Sequence, residues 1–196
     1  MNEQHFFTPQ RTGTASAVGG TVIAGLGLVG AIDAGKVGNA WFAASGAASL
    51  LLVLGLLGLR KAAEGLPVVR RALGATAVTM ALFGLAHFYA LVNQDVAILL
   101  FSVFMVLTAI GLIVAGSAIV RHRTGRGWQA GLPLLCGVWP LLTIPAGAAI
   151  GDVPHFSAIA IWGLCWVAYG LSLRSSRIIA STTATGVGAQ VSVGPR

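Results

Sequence analysis

Short polar links divide this chain into six long apolar runs, and that alternation leaves few folds open to it. The runs cover about 16–33, 40–59, 72–92, 96–120, 129–150 and 156–173. Each has 18 or more residues, and Asp33 is the one charged residue among them. A bilayer's hydrocarbon layer is about 30 Å thick and takes about 20 apolar residues to cross as a helix. Inside it every backbone N–H and C=O must be bonded within the protein, which leaves helices as the structure such runs can adopt. Composition agrees. The chain is 56% hydrophobic and 9% charged, with a mean hydropathy of +0.87, where soluble domains carry about 25% charge. We therefore expect an all-α, polytopic transmembrane bundle of six helices. It should span residues 16–174 between a cytoplasmic N-terminal segment, 1–15, and a disordered Ser/Thr/Gly-rich cytoplasmic tail, 175–196.

Charge placement predicts the direction of the spans. With six spans, Arg11, the cluster Arg60, Lys61, Arg70 and Arg71, the cluster Arg121, Arg123 and Arg126, and Arg174, Arg177 and Arg196 all fall on one side. That is 11 of the 12 basic residues. The positive-inside rule makes that side cytoplasmic, so both termini should be cytoplasmic, in a bacterial plasma membrane. Only Lys36 falls opposite, with Asp33, Asp95 and Asp152, one in each outer link. Aspartate is a good turn former, but three together could also form a vestibule that attracts cations. The net charge of +7 sits at the ends of spans, the pattern of headgroup contact and not of nucleic-acid binding. The first run is Gly-rich, and a signal peptide is its competing reading. A weakly charged start and no clear small-x-small cleavage site favour a retained span.

Few residues could carry chemistry. His87 lies about one and a half turns from the outer end of the third span. The link to the fourth is so short that Ser102 should come to the same depth. A neutral imidazole in hydrocarbon needs a partner, so we expect a hydrogen bond from His87 to Ser102, with Tyr89, Asp33, Asp95 and Asp152 as further polar or solute-path candidates. A gate or ligand contact is the other reading of His87. Cys136 and Cys165 should lie at similar depth in the fifth and sixth spans, as inert small hydrophobes or as a disulfide. Trp139, Trp162 and Trp166 lie deeper than an interfacial belt and either fill packing gaps or line a path. Pro133, Pro140 and Pro145 are expected to interrupt and bend the fifth span. Small-residue runs such as 43–49 and 147–151 predict close helix approach. No metal-ligand spacing, nucleotide loop or paired-carboxylate motif is present, so neither a cofactor, a metal nor an enzymatic activity is expected.

The stretch "LFGLAHFYALVN" (82–93) resembles a helix of the proton-gated urea and amide channel family, and "AIAIWGLCW" (158–166) is similar to a Trp-rich helix there. The resemblance implies a channel for small polar solutes. Two features depart from it: the Trp-rich helix is the sixth span here and the fifth in that family, and the family's termini lie outside. More generally, the chain resembles small six-span integral membrane proteins of actinobacterial type. Two roles stay open: a small-solute channel or transporter, or a scaffold that packs on a membrane-protein partner or on another copy of itself. An intramembrane enzyme or redox protein is a weaker third.

Overall fold

A computed structural model describes residues 8–122 and 127–175. Six helices account for most of them: α1 Pro9–Ile32, α2 Asn39–Ala62, α3 Pro67–Tyr89, α4 Gln94–Arg121, α5 Leu132–Ile150 and α6 Asp152–Arg174. Each is long and apolar enough to cross a membrane. Short 3₁₀ turns, Ala34–Lys36 and Gly127–Gly131, precede α2 and α5. Residues 1–7, most of the 121–127 link and the expected tail from 176 onward lie outside the described residues.

The first helix starts earlier than its apolar run. Thr8 accepts a hydrogen bond from the backbone N–H of Arg11 at 3.4 Å, and Pro9 takes the first helical position. A threonine cap followed by proline starts a helix even in polar sequence. Thr12 and Gly13, expected to lie outside the bundle, are therefore buried within it.

The helices run alternately up and down and close into a ring. Each packs on its neighbours in sequence, and α1 closes the ring against α6. The α1–α6 seam explains the glycine in the first run. Gly13, Gly20 and Gly27 recur every seven residues and face the α6 backbone. A Cβ at Gly20 would lie 2.7 Å from the carbonyl oxygen of Gly163, one at Gly13 would lie 2.6 Å from that of Gly170, and one at Gly27 would fall on the backbone nitrogen of Ala160. Backbones approach this closely only where there are no side chains. A segment clasped in this way is part of the bundle.

Alternation places Arg11, Arg60, Lys61, Arg70, Arg71, Arg121 and Arg174 at one end of the ring, and Asp33, Lys36, Asp95 and Asp152 at the other. The arginine half is filled. Leu52, Leu56 and Leu59 of α2 meet Leu73, Met80, Leu112, Ile119, Trp166 and Tyr169, all fully buried. Two hydroxyls here reach across to another helix, while the buried Ser16 hydroxyl and Trp166 indole have no hydrogen-bond partner among the described residues. Tyr169 donates its hydroxyl to the Gly55 carbonyl at 3.0 Å. Thr108 donates to the Thr79 hydroxyl at 2.9 Å, which donates to the Thr76 carbonyl at 3.0 Å.

One expectation for α5 needs correction. Pro133 lies in its first turn, where a missing N–H leaves nothing unbonded, and only Pro140 and Pro145 are interior. The helix is continuous through both.

Candidate functional site

The aspartate half of the ring is hollow. A cavity of about 510 Å³ opens there, within the range of ligand pockets. Its rim is made by Val37, Gln94, Asp152 and His155. Its walls carry Trp41, Phe42 and Ser45 from α2, Phe101 and Ser102 from α4, Ile144 from α5 and Phe156 from α6. Ser49, Phe83, Met105 and Trp162 form the floor. From Asn39 to Ser49 of α2 is ten residues, so the cavity reaches roughly 15 Å down the bundle at 1.5 Å per residue, about half of a 30 Å hydrocarbon layer. Below the floor, between Met80, Thr108, Leu112, Cys136 and Pro140, is a gap too narrow for water.

His87 lines this cavity and is otherwise buried. It lies on the same face of α3 as Met80 and Phe83, which turns it inward. The ring stacks on Phe101 with centroids 4.3 Å apart and meets the edge of Phe83 at 4.6 Å. Its Nδ1 lies 2.9 Å from the carbonyl oxygen of Phe83. A carbonyl only accepts, so Nδ1 carries the proton, and Nε2 of the neutral ring is an acceptor. This corrects the expected pairing with Ser102, whose hydroxyl donates to the Ile98 carbonyl at 3.1 Å. Each polar group bonds back to the carbonyl one turn earlier in its own helix, a local bond that Ser, Thr and His can make without a second helix. The polar contact expected between α3 and α4 exists one level deeper, as Thr79–Thr108.

Of the other candidates, Ser102 and Asp152 line the cavity and Tyr89, Asp33 and Asp95 do not. Tyr89 is two residues beyond His87, a turn of about 200° around the helix, and is 43% exposed on the outside of the ring. Asp33 accepts from the Gly35 N–H at 3.0 Å and shapes the link before α2. Asp95 sits in the first turn of α4, where a carboxylate favours the helix dipole.

The donors around the cavity are largely committed to backbone carbonyls. Trp41 Nε1 donates to Leu26 at 3.2 Å, Trp162 Nε1 to Cys136 at 2.9 Å and Ser49 to Ser45 at 2.8 Å. His155 Nδ1 lies 3.3 Å from the Ile144 carbonyl. The Ser45 hydroxyl and the Gln94 amide have no such bond among the described residues. Of the three deep tryptophans, Trp162 forms part of the floor, Trp166 is wholly buried packing, and Trp139 donates to the Ala158 carbonyl at 3.0 Å. Cys136 and Cys165 are free, buried and outside the cavity. Among the described residues no three His, Cys, Asp or Glu side chains gather to hold a metal.

The side wall between α4 and α5 is thin. In the arginine half the two helices touch closely, with Gly137 against the Ala109 carbonyl and Gly116 against Leu134. Toward the aspartate end the same face of α4 carries Ile98 and Ser102, which are exposed and border the cavity, as does Ala148 of α5.

Sequence reasoning missed Trp41, Phe42, Ser45, Ser49, Gln94, Phe101, His155 and Phe156. Ser45 and Ser49, one turn apart in an apolar helix, were an available signal for an inward polar stripe. The aromatics read as interfacial anchors when each helix is taken alone. No family model matches the chain, and neither does any curated protein or solved structure, so no family or homologue is identified.

Proposed function

We propose that this protein binds a small organic solute in the cavity and passes it across the membrane, in a role without catalysis. The observation that carries the reading is a hollow about 510 Å³ in volume at one end of a ring whose other end is filled. A scaffold gains nothing from leaving half its core empty, because lost packing contacts cost stability. Under the positive-inside rule the arginine end is cytoplasmic and the cavity faces out, so this conformation is the outward-open one. The gap beneath Phe83, Met105 and Trp162 is where an inward path would open.

A second reading rests on α4. It is the longest helix, with 28 residues, and only 22% of its most apolar window is buried. An outward face such as this suits lipid, and equally a membrane partner or another copy of the chain.

Solute flux into liposomes separates the two. A panel of a neutral polyol, a carboxylate and a quaternary ammonium ion should include at least one solute that enters reconstituted vesicles faster than empty ones. Ser45→Trp, which fills the cavity, should abolish the difference. Flux equal to that of empty vesicles across the panel would sink transport and favour the scaffold.

A further inference from the structure

We propose that the cavity's ligand is a lipophilic amine, an apolar ring-bearing body with a protonated N–H head. The proposal deepens the solute-binding reading and rests on it. The hydrogen-bonding inventory comes first. Nδ1 of His87, the indoles of Trp41 and Trp162, and the hydroxyls of Ser49 and Ser102 all point their protons at backbone carbonyls. What the walls still offer is lone pairs: Nε2 of His87, the hydroxyl oxygens and, at the rim, the Asp152 carboxylate. A ligand that brings donors fits this surface. A carboxylate or phosphate, which needs donors in return, would find only Ser45 and Gln94.

Charge points the same way. No Lys or Arg lines the cavity, and its one carboxylate is Asp152, beside the imidazoles of His87 and His155. Asp33 and Asp95 lie at the same end of the ring, against Lys36 alone. The walls are aromatic: Trp41, Phe42, Phe83, Phe101, Phe156 and Trp162 surround the space. Ring faces attract cations, most strongly where water is excluded. They also take up an apolar body, and the thin α4–α5 wall brings hydrocarbon close to it. An ammonium head presents up to three donors to an acceptor-lined wall, more than an alcohol of the same shape.

A matched series sharing one phenyl body tests this: 2-phenylethylammonium, 2-phenylethanol and 3-phenylpropionate, titrated against the full chain in lipid nanodiscs by tryptophan fluorescence. The ammonium should bind about tenfold or more tightly than the alcohol, and the carboxylate most weakly. Asp152→Asn, at an exposed rim position, should shrink the ammonium preference severalfold and leave the alcohol unchanged. His87→Leu should weaken both, and His87→Gln, which keeps an acceptor, should restore part of the loss if folding is intact by thermal melt. Equal binding of ammonium and alcohol, or tightest binding of the carboxylate, would overturn the amine proposal while leaving a binding cavity. No binding by any of the three would overturn the cavity reading with it.

Discussion

Trp162 of α6 supplies the hydrogen bond that Pro140 of α5 withholds. Proline has no N–H, so the carbonyl one turn earlier, that of Cys136, loses its helical donor. The indole Nε1–H of Trp162 reaches that carbonyl at 2.9 Å. The residue that interrupts the backbone ladder and the residue that completes it stand on different helices, and the same indole forms part of the cavity floor.

Trp162→Phe should therefore destabilise the bundle beyond its lost packing, by about 1 kcal/mol for the orphaned carbonyl. Pro140→Ala restores an N–H in place. The double variant should recover most of that increment, and a double-mutant cycle of unfolding in mixed detergent micelles reads the coupling directly. Purely additive losses would show that the indole does not serve the carbonyl.

Two neighbouring glycines of α1 should respond oppositely to alanine. At Gly27 the new methyl falls on the Ala160 backbone, which cannot move aside as a side chain can. Gly27→Ala should cost about 1–3 kcal/mol through overpacking. At Gly25 nothing lies within 4 Å, and Gly25→Ala should be neutral or gain up to about 1 kcal/mol of helix propensity. Thermal unfolding of the two variants side by side decides the point, and equal effects would contradict the α1–α6 seam.

Cys136→Ala and Cys165→Ala should each cost only about 1 kcal/mol, since little volume is lost. Both thiols are free, so melting in oxidant and in reductant should agree. A difference between the two conditions would indicate a disulfide.

His87→Leu should fold well, within about 1 kcal/mol of the parent. The Phe83 carbonyl keeps the backbone N–H of residue 87 as its helical donor, so removing the imidazole orphans no group. A loss of several kcal/mol in the same melting assay would mean that His87 holds another element in place.

Six spans and their alternating direction were legible because membrane helices announce themselves by length and hydropathy. The separation of arginine from aspartate followed from them. The start of α1 was not, because capping by Thr8 and Pro9 works irrespective of hydropathy. His87 and Ser102 do border one space. Their hydrogen bonds were not legible, since depth alone leaves open whether a group bonds across to another helix or back to its own. The cavity could not be read at all from single segments. Its lining comes from all six helices, and each contributing residue looks like ordinary core or interface until the ring closes.

If the aspartate end faces out, as the positive-inside rule places it, water should reach His87 from outside the cell. Ser45→Cys and Ser102→Cys, each in a chain lacking Cys136 and Cys165, place a thiol on two walls of the cavity. In intact cells a membrane-impermeant thiol reagent should label both, and Leu56→Cys, in the filled arginine half, should stay unlabelled. Labelling of the cavity positions only after the cytoplasmic face is exposed, or only after denaturation, would contradict the account.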